Sequence, residues 1–70
     1  MLNFSQALEH LKRNQCVTRF CWDRNTYLRI STDKQWIGIM DEHGEFDFWN
    51  PRHLDLLADD WVLVGFFFQT

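Results

Sequence analysis

The sequence predicts an α+β fold: one N-terminal helix packed on a small antiparallel β-sheet of about five strands. Three observations point there. A single amphipathic stretch opens the chain. After it, short runs of β-branched and aromatic residues alternate with turn chemistry. The chain has 70 residues, enough for one domain with one core and no room for a second.

The helix is read in "NFSQALEHLKRN". Asn3 is a suitable N-cap, and Gln6 three residues on completes a capping box. Phe4, Ala7, Leu8 and Leu11 fall at i, i+3, i+4 and i+7, one apolar face. Lys12 and Arg13 suit the negative end of the helix dipole, and Asn14 is a C-terminal stop. "CVTRFCW" then reads as a first strand and "DRN" as a turn. "TYLRI" is a second strand, with Tyr27 and Arg29 on one face and Leu28 and Ile30 on the other. "STDK" turns the chain into "QWIGIM", a third strand, and Gly44 in "DEHG" supplies a positive φ. "EFDFW" is a fourth strand, with Phe46 and Phe48 alternating against Asp47 and Trp49. Asn50-Pro51 breaks it, because a proline disfavours helical geometry in the residue before it. "RHLDLLA" is one or two helical turns, and "DWVLVGFFF" is the last strand.

A domain this small buries only about 60% of the surface its unfolded chain exposes. Four tryptophans, seven phenylalanines and one tyrosine exceed what such a core encloses, so part of this surface is expected at a subunit interface or in a ligand pocket. The chain is therefore expected to form a homo-oligomer, a dimer of dimers, with "GFFF" part of the assembly. Residues 1–35 hold six basic and three acidic side chains, and residues 36–70 hold one basic and seven acidic. A duplex nucleic-acid binder carries a basic stripe and net positive charge, and a net charge of −3 excludes that class. A small anion held by a few arginines of the first half fits. No apolar run of about 18 residues is present, so no membrane span is expected. The opening stretch lacks the apolar segment of a secretory leader. Cys16 and Cys21 are accordingly expected to be reduced thiols in a cytoplasmic protein.

Catalytic patterns are absent. His10, Cys16, Cys21, His43 and His53 match no zinc spacing, and neither a nucleophile elbow nor a phosphate-binding glycine loop occurs. No metal, cofactor or catalytic residue is expected. "DLLADDW" places Asp59 and Asp60 directly before Trp61. Neighbouring residues on an extended chain point in opposite directions, so the two cannot share a proton as a dyad. One is expected to cap the preceding turn or bond its own backbone, the other to face solvent or a ligand. Aromatic and arginine residues interleave elsewhere: Arg19, Trp22, Asp23, Arg24, Asn25 and Arg29 surround one strand–turn–strand, and Trp49 and Asn50 end another strand. An indole stacks a planar base and arginine forks onto phosphate oxygens. The structural alternative is that these tryptophans are core, with the arginines lying over them. On the first reading Trp22 or Trp49 stacks a purine and Arg19, Arg24 or Arg29 binds a pyrophosphate. Asn25, Asn50 and Asp55 then contact base edges and ribose hydroxyls, and Phe4 supplies an edge.

The order of these residues resembles the Thoeris anti-defence two family of small phage proteins. The resemblance rests on Phe4, Ala7-Leu8, Leu11-Lys12, Arg19 and Trp22, then "WIGIM", Gly44, Phe48-Trp49 and, most specifically, "DLLADDW". It covers residues 3 to about 64, leaving 65–70 as a short extension of a single domain spanning 1–70. The chain departs from the family pattern after Trp22, where it reads Asp23-Arg24-Asn25, and after Trp49, where it reads Asn50-Pro51-Arg52-His53. The resemblance implies a non-enzymatic sponge in the host cell. Such a protein binds cyclic ADP-ribose isomers, and in some members cyclic oligonucleotides, in pockets between the protomers of a homotetramer. It also implies that "DLLADDW" locks the final strand while its aspartates rim a pocket. The alternative function is a protein-binding inhibitor that blocks a host defence factor directly.

Overall fold

The computed structural model describes residues 1–23 and 25–64 of the chain. The elements run α1 (Phe4–Lys12), β1 (Val17–Arg19), β2 (Tyr27–Ile30), β3 (Ile37–Met40), β4 (Phe46–Phe48), α2 (His53–Leu57) and β5 (Trp61–Leu63). All five strands join one antiparallel sheet in the order β4-β3-β2-β1-β5. The expected α+β architecture is present, with α2 as a second, short helix.

α1 begins as its sequence dictates. Asn3 Oδ1 accepts from the Gln6 N–H and Gln6 Oε1 accepts from the Asn3 N–H, both at 2.9 Å. It ends where Asn14 turns to a φ of 66°, a left-handed conformation that asparagine tolerates better than most residues. Ala7 and Leu11 are fully buried and Phe4 and Leu8 partly so, which is the apolar face read from the spacing.

The register sets the two faces of the sheet. Leu63, Val17, Leu28 and Ile39 stand opposite one another on successive strands, and directly opposed residues share a face. That row meets α1, and Ala7, Leu11, Val17, Leu28 and Trp61 form the buried core. The other face carries Tyr27, Arg29, Gly38, Met40 and Phe46. There the Phe46 ring lies across Gly38, so that a Cβ at residue 38 would fall 2.2 Å from Phe46 Cζ. The Arg29 guanidinium lies 4.5 Å from the centre of the same ring.

Every strand is shorter than the sequence suggests, β2 by one residue and β4 by two. The chain leaves β1 after Arg19 rather than running to Trp22, because the Trp22 N–H bonds back to the Arg19 carbonyl in a turn. β3 starts at Ile37, since Ser31 Oγ draws in the N–H groups of Gln35 and Trp36. β5 spans three residues, and the expected continuation through "GFFF" lies outside the described residues. β5 sits at the far side of the sheet beside β1. Leu2 flanks it there, exchanging two backbone hydrogen bonds with Trp61 at 2.8 and 3.0 Å.

Candidate functional site: a cleft between the β1–β2 turn and the second helix

The cleft is built on "DLLADDW". Trp61 is fully buried and stands opposite Arg19 in the β1–β5 register. Its indole Nε1–H donates to the Asp55 carbonyl at 3.1 Å, tying α2 to the core. The Asp55 carboxylate is buried and accepts twice, from the Arg52 N–H at 3.0 Å and from Arg19 Nη1 at 3.0 Å. Asp60 takes the other side of the same guanidinium, accepting from Arg19 Nε at 2.9 Å and from Nη2 at 3.3 Å. Arg19 thus bridges the short helix and the turn that follows it. Of the aspartate pair, Asp60 reaches Arg19 and Asp59 is exposed. Asp55 supplies the side chain that caps α2. Two carboxylates raise the Arg19 pKa, with the Asp60 hydrogen bond the largest contribution. The reciprocal bond holds the Asp60 carboxyl below the usual carboxylate range.

Over this scaffold opens a cleft of about 710 Å³, lined by Arg19, Cys21, Trp22, Asp23, Thr26, Ile39, Phe48, Trp49, Asn50, Arg52, Leu54 and Asp55. That volume lies in the range of small-molecule sites. Trp22 and Trp49 are half-buried, and each meets the Trp61 ring edge-on, at 5.3 and 5.9 Å between centroids. They are therefore anchored in the core and border the cleft at the same time.

Five of the residues singled out from the sequence gather here: Arg19, Trp22, Trp49, Asn50 and Asp55. Phe4 stands behind them, its ring 5.6 Å from Trp49 and 5.4 Å from Trp61. It borders a neighbouring apolar groove with Leu8, Trp36, Pro51 and Leu56. Asn25 is exposed in an Asx turn, its N–H bonded to Asp23 Oδ1. Arg29 lies elsewhere, lining a separate pocket of about 320 Å³ with Asn14, Ser31 and Lys34. Arg24 lies outside the described residues.

Sequence reasoning missed Cys21, Thr26, Ile39, Phe48, Arg52 and Leu54 as lining residues. A signal existed for Arg52, the one basic residue in the acidic second half. None existed for the link between Arg19 and Asp60, which are 41 residues apart. Cys16 and Cys21 are unpaired, and among the described residues no three His, Cys, Asp or Glu side chains gather as metal ligands. Nor, among the described residues, is any helix long and apolar enough to cross a membrane.

A family model described as the Thoeris anti-defense 2-like domain matches residues 2–64. The chain belongs to the Thoeris anti-defense 2-like family. No curated protein matches it closely enough to add to this. The family is an anti-defence domain and not a known enzyme family. The Thoeris anti-defense 2-like match ends at Val64, so it takes in every lining residue of the cleft from Arg19 to Asp55.

Proposed function

We propose that this protein binds a cyclic ADP-ribose-type signalling nucleotide and sequesters it without cleavage. The observation that carries this reading is that Trp22 and Trp49 border one cleft beside a carboxylate–guanidinium cluster. An indole supplies a platform for the adenine base. Asn50 has both donor and acceptor atoms for a base edge, and the Asp23 and Asp55 oxygens suit ribose hydroxyls. Cleavage would call for a general base, and the carboxylates here are poor ones. Asp60 is held charged by Arg19, and Asp55 already accepts two hydrogen bonds. In this reading the protein works in the cytoplasm of the host bacterium, where such nucleotides are made, and uses no cofactor. A cyclic oligonucleotide is the second ligand class the cleft chemistry accommodates.

The same reading includes self-association, with four copies as the expected assembly. Phe48 and Leu54 are 67% and 74% exposed, and both line the cleft. A second copy seated on them would cover apolar surface and deepen the cleft in one step. The competing reading, a module that blocks a host protein, draws on Leu54 and Leu57 next to an acidic half-chain.

One experiment separates them. The protein is mixed with cyclic ADP-ribose, freed of unbound nucleotide and denatured by heat. Sequestration returns the intact nucleotide in the supernatant. Recovery of cleaved product would make the protein an enzyme. Failure to deplete the nucleotide, or a cyclic dinucleotide offered in its place, would favour the protein-blocking reading.

A further inference from the structure

Resting on the nucleotide-binding reading, the geometry points to Arg52, and not Arg19, as the residue that takes the ligand's phosphate and so selects a phosphorylated nucleotide over a nucleoside.

The two arginines of the cleft are in opposite states. Arg19 directs Nε, Nη1 and Nη2 into Asp60 and Asp55. One positive charge is there matched by two negative ones, so this cluster repels a further anion more than it attracts one. Asp23 adds another carboxylate to the cleft wall. A pyrophosphate entering such a site needs a cation that is not already spent. Arg52 provides it: among the described residues its guanidinium has no hydrogen bond and no ion pair, yet it lines the same cleft.

Its backbone is held in place. The Arg52 N–H donates to Asp55 Oδ2 at 3.0 Å, and its carbonyl accepts from the N–H groups of Asp55 and Leu56 at 3.0 and 3.2 Å. Pro51 before it fixes the approach of the chain. The root of the side chain is therefore rigid while the charged end is free to close on a ligand, a fork suited to two phosphate oxygens. The charge distribution agrees, since Arg52 is the one Lys or Arg among residues 36–70. Where every other charge of that half is acidic, a lone cation placed at a cleft has a local task. Asp55 then acts on both arginines at once, pinning Arg52 through its backbone and Arg19 through its side chain.

The test is calorimetric titration of the full chain with two probes, cyclic ADP-ribose and adenosine. Arg52→Gln is expected to weaken cyclic ADP-ribose about 10- to 150-fold, the range for a lost charge-assisted hydrogen bond, while leaving adenosine unchanged. Arg52→Lys is expected to recover part of that loss. Arg19→Gln is expected to lower the thermal midpoint and weaken both probes alike, so that their affinity ratio stays constant. The ratio is the deciding quantity, because a merely structural role would not move it. An unchanged ratio in Arg52→Gln overturns the assignment, as does a shift that appears in Arg24→Gln in its place. If the unaltered chain binds neither probe, the nucleotide-binding reading falls and carries this assignment with it. If it binds both and only the Arg52 arm fails, the reading stands and the assignment alone is lost.

Discussion

The indole Nε1–H of Trp61 donates to the backbone carbonyl of Asp55 at 3.1 Å, and by that bond the last strand holds the short helix that shapes the cleft. The bond explains why an acidic pair sits directly before a buried tryptophan. Trp61 must enter the core while Asp60, one residue earlier, turns out to meet Arg19. Asp60 precedes the first residue of β5, so strand alternation does not fix its direction, and its carboxylate reaches the Arg19 that stands opposite Trp61. Replacing Trp61 by Phe keeps most of the ring but strands the Asp55 carbonyl. A loss of about 1–3 kcal/mol is expected from that polar group alone. Trp61→Ala is expected to cost about 3–5 kcal/mol, as read from urea unfolding.

Acid should weaken the fold through Asp60. Its carboxyl is held below the ordinary range chiefly by the hydrogen bond from Arg19. A depressed folded-state value contributes stability that is complete above the unfolded pKa of about 3.9. That contribution is lost as pH falls through the lower, folded value. Thermal midpoints should therefore carry the full contribution of this pair, independent of pH, between about pH 5 and pH 8 and should drop below about pH 4. Asp60→Asn should lower stability at neutral pH and make the acid limb shallower. An acid limb of unchanged slope in that variant would disprove the link.

Gly38 should tolerate no side chain. Its neighbour is the Phe46 ring, fixed between the Arg29 guanidinium and Trp36, whose ring centre lies 5.2 Å away. A methyl group placed 2.2 Å from Phe46 Cζ must expel the ring. Gly38→Ala is expected to cost about 1–3 kcal/mol, the usual penalty for overpacking. The double variant with Phe46→Leu should recover part of that loss. Strictly additive losses would show that the ring is not the obstacle.

Trp22 and Trp49 should differ from Trp61 in what they affect. Each is half-buried against Trp61 and borders the cleft. If one stacks the base, its change to Ala should weaken cyclic ADP-ribose by about 1–3 kcal/mol. Changing it to Phe should restore a large share, since a smaller ring still stacks. Titration of folded variants reads this directly, and equal affinity in both Ala variants would remove the base from this cleft.

Self-association should depend on α2. Leu54 and Leu57 are 74% and 81% exposed on one short helix. Leu54→Glu with Leu57→Glu is expected to reduce the particle mass in light scattering toward the 8.6 kDa of one chain. A wild-type particle of that mass would refute the oligomer outright.

Much of this molecule was written in local chemistry. The capping box at Asn3 and Gln6, the apolar face from Phe4 to Leu11, the positive φ at Gly44 and the break at Asn50-Pro51 each need only a few neighbouring residues. Period and turn chemistry therefore fixed the number and order of elements, and the alternation of Tyr27 to Ile30 fixed the faces of β2. The lengths of the strands were not legible, because pairing partners end them. Nor was the division of labour among the arginines. Arg19, Arg29 and Arg52 look alike in sequence, yet one is spent on Asp55 and Asp60, one lies over Phe46, and one is free at the cleft among the described residues. That outcome follows from β5 pairing with β1 across more than 40 residues of chain, which carries Asp60 to Arg19. The sequence alone determined which groups the protein possesses and which elements hold them. Only the tertiary structure decided which charges cancel, because cancellation depends on distances that no local pattern encodes.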